Sequence, residues 1–592
     1  MELAAPSEAD VAACLAAGVL PVATGGSATA GAAFVGDPER IMALADQGVA
    51  WWRLTVEAEG APARVIDAAA RSGAGFVRVG RSRVADIAGL LDLPTLRTSV
   101  SVFVDSVDDA VAAVAAGASD LLLRDWDTES IGDLRDAFDD PLVERTAFPI
   151  GVPVDDLRSE LTPEILAAAL GQLDGSGAAR PRYSWAPGRS EGVPVTANRL
   201  SSEWLDARWV AEPPPLGLDA VRPEVKRILE ASLAGRRPTR DEVEELFRAR
   251  GNEVEAIAMV ADEIRRESVG DTVSYIVNRN INYTNQCYFR CGFCAFSKGP
   301  RSLNLRGDPY LLEVHEVAFR AKEAWEAGAT EVCLQGGIHP GFTGDFYVSV
   351  VEAVKQAVPD MHVHGFTPLE VWQGAETLGI GISEFLARLK EAGLGTLPGT
   401  AAEILDDRVR AHLCPDKITT AEWAHVMIVA HEMGLRSTST MMFGHIDGPV
   451  SWANHFEVLR LIQDRTGGFT EFVPLPFVHM GAPIFLRGRA RPGPTWDEVV
   501  LVHAVARIAF AGLIDNIQAS WVKLGLTGGA ALLGAGCNDM GGTLMNENIS
   551  RAAGAEHGQL VSAEQMEAAI TAAGRTPVRR TTLYEVAEAR LA

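Results

Sequence analysis

The sequence has little cysteine and a deficit of positive charge. Only seven of its 592 residues are cysteine, too few for a disulfide-stabilised scaffold, and a reducing compartment fits them better. The formal net charge of -25 disfavours nucleic acid and anionic membranes as partners, because both need a basic binding face. The hydrophobic content of 47% nevertheless predicts a folded chain with a sizeable core.

Long apolar runs and a basic N-terminal region are also missing. No uninterrupted apolar stretch reaches the length of about 18 residues that a membrane-spanning helix needs. The N-terminus, MELAAPSEADVAACLAAG, is acidic and does not have the pattern of a signal peptide. We therefore expect a cytoplasmic protein with no membrane partner.

Residues 1 to about 215 have the pattern of a separate N-terminal α/β domain. Apolar runs such as TSVSVFVDS and ASDLLLRDWD alternate with Ala-rich stretches of helical spacing such as SVDDAVAAVAAG. Buried strands that alternate with helices predict a parallel α/β layer. A degenerate barrel, an α/β module that binds a partner and a small-molecule domain all fit this pattern, and the sequence does not indicate the role.

The rest of the sequence has the pattern of a β/α barrel. Residues 216–270 read as a linker and a helical extension, in which TRDE predicts a helix start with Thr239 as N-cap and Glu242 completing a capping box. Over residues 271–525, helical stretches separate apolar runs that end in polar or Gly-rich turns: TVSYIVNRNINYTN, TEVCLQGGIHP, MHVHGFTP, LGTLPGTAAEI, STSTMMFGHID, TEFVPLPFVHM and IDNIQASWVK. Barrel enzymes build their sites at the C-terminal ends of such strands. We expect residues 526–592 to form a C-terminal cap over the mouth of this barrel.

Three of the seven cysteines, Cys287, Cys291 and Cys294, fall within the stretch NYTNQCYFRCGFCAFS. A closed structural zinc site wants four ligands, so a distant histidine would have to complete one here. Buried structural cysteines are a further alternative, but they rarely group on a loop that ends a strand. Three thiolates can instead hold three irons of a 4Fe-4S cluster and leave the fourth iron open for a small ligand. The spacing favours the cluster.

This spacing resembles that of the radical S-adenosylmethionine (SAM) enzymes. The shared features are C-x3-C-x2-C after a first barrel strand and an aromatic residue, Phe293, just before the third cysteine. The resemblance implies a radical-SAM β/α (TIM-like) barrel, preceded here by the N-terminal α/β domain. It also implies a 4Fe-4S cluster whose open iron binds the amino and carboxylate groups of SAM, a 5'-deoxyadenosyl radical formed by reductive cleavage, and an external electron donor of the flavodoxin or ferredoxin type.

Two further elements are candidates for binding SAM. Gly336 and Gly337 end the second predicted strand, where glycine lets the backbone approach a ligand closely. The pair resembles the glycine-rich element that meets the methionine amino group in this superfamily, and an ordinary tight turn is the alternative. Glu403 ends the fourth predicted strand and can hold the ribose hydroxyls by charge-assisted hydrogen bonds. A plain acidic residue at a helix N-terminus is the alternative for Glu403.

Phrases spread over about residues 222–592 resemble the hydroxybenzyl-transferring half of the deazaflavin (FO) synthase family, which makes the precursor of coenzyme F-420. They include NRNINYTNQC, PGTAAEILDD, QDRTGGFTEFVPLPFVH and NDMGGTLMNENISRAAG. The resemblance implies that the radical takes a hydrogen from L-tyrosine, the Cα–Cβ bond breaks and 2-iminoacetate leaves. The 4-hydroxybenzyl group is then added to 5-amino-6-(D-ribitylamino)uracil. The futalosine-route menaquinone enzymes share NINYTN, the triad and TMMFGH, and they are the alternative branch.

Three histidines are candidate proton acceptors for this chemistry: His364, His445 and His479. Each follows or ends a predicted strand, and a structural histidine is the alternative for each. The fused FO synthases carry a second triad in a ring-closing half. Residues 1–215 contain only Cys14 and cannot hold one. Ring closure is therefore not expected of this chain, and a separate ring-closing radical-SAM protein is a candidate partner.

Overall fold

The structure is a computed structural model, which describes residues 221–298, 308–558 and 560–587 together with shorter stretches of the first 220 residues. The chain divides into two compact units, Met1–Tyr183 with Gly488–Arg491 and Ser184–Arg487 with Pro492–Ala592. Among the helices of the described residues, none has the length and hydropathy needed to cross a membrane. The domain boundaries expected near residues 215, 270 and 525 stay predictions.

The first unit contains parallel sheets. Strands β1 (Glu2–Leu3) and β2 (Val22–Ala23) form a two-stranded sheet. A five-stranded parallel sheet follows in chain order, with β3 (Ala33–Val35), β4 (Leu54–Glu57), β5 (Phe76–Val79), β6 (Ser99–Val104) and β7 (Asp120–Leu123). Helix α1 (Val107–Ala115) connects β6 to β7, as SVDDAVAAVAAG predicts. The predicted parallel α/β layer is confirmed for these elements, whereas Cys14 lies outside the described residues.

The second unit begins with the helices α2 (Pro223–Leu233), α3 (Arg240–Phe247) and α4 (Asn252–Val269). The predicted capping box at the start of α3 is confirmed, since the Glu242 backbone N–H donates to Thr239 Oγ1 at 3.2 Å and the Thr239 N–H donates to Glu242 Oε2 at 2.9 Å. Each bond satisfies a donor that the first helical turn would otherwise leave without a partner.

The barrel strands of this unit are all parallel. After β8 (Thr272–Ile276), the order of the main sheet is β9 (Asn278–Ile281), β10 (Glu331–Leu334), β11 (His362–Gly365), β12 (Thr396–Leu397), β13 (Arg436–Phe443) and β14 (Phe469–Pro476). Each strand pairs with its neighbours in chain order, and parallel neighbours require a crossover between them. The crossover helices are α5 (Val314–Glu326), α6 (Gly344–Ala357), α7 (Pro368–Leu378), α8 (Ile382–Ala392), α9 (Asp407–Leu413), α10 (Thr420–Glu432) and α11 (Pro449–Thr466).

Short bridges close this sheet into a ring. The chain continues through α12 (Pro483–Leu486), α13 (Trp496–Ala509), α14 (Trp521–Leu532) and β15 (Asp539–Gly542). Parallel bridges then join Phe472 to Ile517, Gln518 to Asp539 and Met545 to Arg279. The ladder therefore runs from β14 through residues 517–518 and 539–545 back to β9. The predicted β/α barrel is confirmed, and part of the segment expected as a cap forms its wall.

The C-terminal segment lies at the end of the barrel where the strands begin. After α15 (Ile549–Ala553) and α16 (Ala563–Ala572), strand β16 (Thr576–Arg579) pairs with β8. Arg580 Nε then donates to Asp539 Oδ2 at 2.6 Å, and the Tyr584 hydroxyl donates to Glu471 Oε2 at 2.6 Å. Asp539 and Glu471 lie near the starts of β15 and β14. This polar cluster is therefore at the N-terminal ends of the barrel strands, away from the C-terminal ends where barrel enzymes build their sites.

Candidate functional site

The cysteine loop follows β9 at the C-terminal end of the barrel and is held by the segments that follow β12 and β14. The Gly292 N–H donates to the carbonyl of Leu413, the last residue of α9, at 2.7 Å. The Ile484 N–H, in α12 after β14, donates to the Gly292 carbonyl at 2.7 Å. The Arg290 N–H donates to Asp416 Oδ2 at 2.8 Å. These bonds tie the loop to two other crossovers, so its position is fixed by the barrel.

The three thiols have the chemistry that a cluster requires. Cys287, Cys291 and Cys294 are free and half-buried. Burial raises the pKa of the Cys291 and Cys294 thiols, while Lys417 acts against this at Cys291 and a backbone N–H at Cys294. That N–H belongs to Ser297 and donates to Cys294 Sγ at 3.3 Å. Iron binding would hold the thiols as thiolates, so the donor set fits a 4Fe-4S cluster.

The three cysteine ligands of a 4Fe-4S cluster each bind a different iron, so their sulfur atoms need not surround a single metal position. Over residues 221–298, 308–558 and 560–587 and the shorter described stretches, no three His, Cys, Asp or Glu side chains are placed to hold a single metal ion.

Gly336 and Gly337 lie directly against the strand end that leads into the cysteine loop. A Cβ on Gly336 would lie 2.3 Å from the ring of Tyr283, and one on Gly337 would lie 2.3 Å from the Gln286 carbonyl oxygen and 3.0 Å from Cys287 Cβ. The Gly337 N–H donates to the Thr284 carbonyl at 2.9 Å. The structure thus requires glycine at both positions for packing, and the role of the pair in binding SAM stays a prediction.

A buried tyrosine–glutamate pair anchors the same turn. The Tyr283 hydroxyl donates to Glu370, and the Gly336 N–H donates to Glu370 Oε1 at 3.1 Å. Thr367 completes the set, because its N–H donates to Glu370 Oε2 at 2.7 Å in the capping box of α7. Burial raises the pKa of Glu370, and these hydrogen bonds act against that effect. One carboxylate therefore couples the start of α7 to the glycine turn.

Glu403 lies in a loop with an unusual backbone. Its φ is 46° and that of Ala401 is 67°, in the left-handed region that residues with a side chain seldom occupy. The Arg410 guanidinium, which is 3% exposed, holds the loop by donating to the carbonyls of Ala402 at 2.5 Å and Ile404 at 3.3 Å. Such strain persists only where the surroundings over-determine it, and it clusters at functional sites.

Lys417 links Glu403 to the cysteine loop. Its ammonium donates to Glu403 Oε1 at 2.7 Å, and the two side chains are only 8% and 13% exposed. The same ammonium lies 5.4 Å from the centroid of the Phe293 ring, within cation–π range. Burial alone lowers the pKa of Lys417, but Glu403 and then the Cys291 thiol raise it above its usual range. The lysine thus brings together Glu403, Phe293 and Cys291, all of which the sequence predicts for the site.

His364 faces the barrel interior beside His362, as their alternation predicts. Thr396 Oγ1 lies 2.7 Å from His364 Nδ1 and 2.8 Å from His362 Nε2. Burial lowers the pKa of His364 to about 4, and the nearby Glu331 acts against this shift. His364 is therefore neutral at physiological pH and is placed to accept or donate a hydrogen bond. Its role as a proton acceptor stays a prediction.

His445 and His479 lie in the turns after β13 and β14. The Ile446 N–H donates to His445 Nδ1 at 2.7 Å, and His445 Nε2 lies 3.0 Å from the Met442 carbonyl, so Nε2 carries the proton. Both ring nitrogens are thus bonded to backbone, and His445 is fully buried. His479 packs its ring 4.5 Å from that of Phe485. The catalytic roles of both histidines stay predictions.

The sequence interpretation did not single out Lys417, Arg410 or Glu370. Glu370 has a local signal, the T-x-x-E capping box, but that signal predicts only a helix start. Arg410 and Lys417 stand in RVRAHLCPDK, which reads as the end of a helix. Their burial depends on contacts with the loop around Glu403, which the spacing of residues in the sequence does not indicate.

Two protein-family models match this part of the chain. Residues 281–458 match the model of the Radical SAM superfamily, and residues 466–591 match that of the CofH/MqnC C-terminal region. Among solved structures, the FeFe-hydrogenase maturase of Carboxydothermus hydrogenoformans has a TM-score of 0.48 at 15% identity, and the match covers 66% of this chain and 85% of that one.

Two curated relatives share about half of the aligned residues. The FO synthase of Mycobacterium leprae is 53% identical over 346 residues, which cover 58% of this chain and 40% of the relative, so the chain spans about two fifths of that protein. The 5-amino-6-(D-ribitylamino)uracil--L-tyrosine 4-hydroxyphenyl transferase of Methanopyrus kandleri is 53% identical over 329 residues, which cover 56% of this chain and 88% of the relative. With nearly the whole of that transferase matched at this identity, the chain belongs to its family within the radical SAM superfamily.

Proposed function

We propose that this protein transfers the 4-hydroxybenzyl group of L-tyrosine to 5-amino-6-(D-ribitylamino)uracil, as the name of the M. kandleri relative describes for that protein. The observation that carries the proposal is the cysteine loop. It stands at the end of the first barrel strand, and the ends of neighbouring crossovers hold it in place. The transfer is one step in the synthesis of FO, the precursor of coenzyme F-420.

The residues of the site have defined tasks in this proposal. Cys287, Cys291 and Cys294 hold a 4Fe-4S cluster, which with SAM and one electron from a flavodoxin- or ferredoxin-type donor supplies the 5'-deoxyadenosyl radical. Glu403 binds the ribose hydroxyls of SAM. A benzyl-type radical would be quenched in an open site, so the proposal requires that the barrel exclude water around the reacting groups.

The neutral His364 gives the barrel interior a proton acceptor, and its hydrogen bond to Thr396 fixes the ring. The Tyr283–Glu370 pair keeps the glycine turn against the cysteine loop. Substitution of the residue concerned tests each of these tasks.

Ring closure is not part of the proposal. The FO synthases are more than twice as long as the part that this chain matches, and residues 1–215 contain a single cysteine. A separate radical SAM protein with its own triad would then close the deazaflavin ring, and the adduct made here would be its substrate.

The test is an anaerobic assay of the reconstituted protein. Iron, sulfide, a reductant, SAM, tyrosine and the ribitylaminouracil are supplied, and 5'-deoxyadenosine and the hydroxybenzyl adduct are followed by mass spectrometry. Cys291→Ala should abolish both products. Cys537→Ala is the matched control, because Cys537 is fully buried just before β15 and outside the triad, so it should retain them.

The outcomes separate the alternatives. Formation of an adduct that requires both tyrosine and the ribitylaminouracil supports the proposed transferase activity. Deoxyadenosine without adduct would retain the radical chemistry and point to the substrates of the futalosine-route enzymes. A zinc-loaded protein that forms neither product would overturn the proposal.

A further inference from the structure

We infer that Lys417 is an electrostatic positioning residue, whose positive charge beside the cysteine loop makes the cluster easier to reduce. The inference rests on the proposed function, because it needs a cluster on Cys287, Cys291 and Cys294. It goes beyond that function by assigning a role to a side chain that is not a metal ligand.

The position of Lys417 is defined by its contacts on two sides. The ammonium pairs with Glu403 Oε1 at 2.7 Å on one side and lies 5.4 Å from the Phe293 ring centroid on the other. Phe293 is the residue between Gly292 and Cys294, so the lysine lies against the loop itself. The Asp416 carboxylate, next in the chain, accepts the Arg290 N–H and holds the two segments together.

The Lys417 ammonium, rather than the Glu403 carboxylate, makes the contact with the cysteine loop. It lies 5.4 Å from the ring centroid of Phe293, whereas Glu403 Oε1 accepts from the ammonium at 2.7 Å. The ion pair is therefore oriented with its positive end toward the loop. A second lysine, Lys298, lies near Cys294 and donates to the Ala295 carbonyl at 3.4 Å.

Orientation matters because reduction adds one electron and thus one negative charge. The reduction potential of an iron–sulfur cluster depends on the net charge around it and on hydrogen bonds to its sulfurs. A cation close to the loop stabilises the reduced state, and an anion destabilises it. A buried ion pair is in itself a weak contributor to stability, so its orientation here points to a role at the cluster.

The experiment is a redox titration of the reconstituted protein with dithionite, without substrates, in which the reduced cluster is followed by electron paramagnetic resonance. Lys417→Met should shift the midpoint potential to lower values, and Lys417→Arg should stay near wild type. Glu403→Gln removes the negative end of the pair and should shift the potential to higher values. Lys390→Met is the control for charge, because Lys390 is in the last turn of α8, which leads to the other end of the barrel.

Opposite shifts in Lys417→Met and Glu403→Gln support the inference. Equal potentials in both variants and wild type, or shifts of the same sign, overturn it and leave the pair as a structural contact. If Lys417→Met takes up no iron, Glu403→Gln alone decides by the direction of its shift. A wild-type protein without a cluster would overturn both this inference and the proposed function, whereas normal adduct formation with unshifted potentials would overturn only the inference.

Discussion

Substitution of Gly337 by alanine should disturb cluster binding through the backbone of the cysteine loop. The new Cβ would lie 2.3 Å from the Gln286 carbonyl oxygen and 2.8 Å from its carbon. Ordinary non-bonded contacts between carbon atoms are about 3.5 Å, so the two segments must separate by about 1 Å. Because the obstacle is backbone, no side-chain rotation relieves it. Overpacking of this kind costs about 1 to 3 kcal/mol, and here the displacement falls on the residue that precedes Cys287.

The assay is the iron and sulfide content of the reconstituted protein, together with its thermal unfolding midpoint by circular dichroism. Gly337→Ala should bind less iron than wild type and unfold at a lower temperature. Gly192→Ala is the matched control, since a Cβ there would meet nothing within 4 Å and the residue is exposed. Wild-type iron content and stability in Gly337→Ala would refute the steric argument for the glycine turn.

Further predictions concern the loop that carries Glu403 and the barrel interior. Arg410→Met leaves several buried carbonyls without a donor, at about 1 to 3 kcal/mol each, so denaturant unfolding should show a clear loss of stability and the KM for SAM should rise. Burial raises the pKa of Glu471 to about 7. The folded state thus binds the proton more tightly than the unfolded state, and this stability is lost as pH rises from about 4.5 through 7. Glu471→Gln should flatten that loss in unfolding midpoints measured against pH. Burial lowers the pKa of His364 to about 4, so its effect has the opposite sign: stability present above about pH 6.5 is lost as pH falls. His364→Gln should reduce that slope, to which His455 and His503 also contribute.

Much of the barrel could be predicted because apolar or β-branched stretches recur along the sequence, each ending in a polar or Gly-rich turn and separated from the next by helical segments. Strands β9 to β12 lie within the predicted runs, β13 and β14 each begin one residue before theirs, and helix α3 begins with the predicted capping box. The closure of the barrel could be predicted only in part. Residues 517–518, which form isolated bridges, lie in the predicted run IDNIQASWVK. Strand β15 was not predicted, because its sequence DMGG carries neither β-branched residues nor alternation. Closure therefore comes from the geometry of the barrel and not from local propensity.

The site could be predicted where the chemistry is local in sequence. The triad spacing and Phe293 lie within eight consecutive positions, and Glu403 follows a strand end. The connection between them could not be predicted, because Lys417 reaches both only in the folded structure. For His445 the sequence indicated the position but not the bonds of the ring. Its place after a strand end is typical of barrel sites, yet its ring nitrogens bond to backbone within the same turn.

The fate of the tyrosine Cβ atom shows whether this protein transfers the hydroxybenzyl group. The reconstituted protein is incubated anaerobically with reductant, SAM, the ribitylaminouracil and tyrosine that carries carbon-13 at Cβ, and the products are analysed by mass spectrometry. The label should appear in the pyrimidine adduct and be absent from the two-carbon product of Cα–Cβ cleavage. Deoxyadenosine formation with no labelled adduct would contradict this prediction.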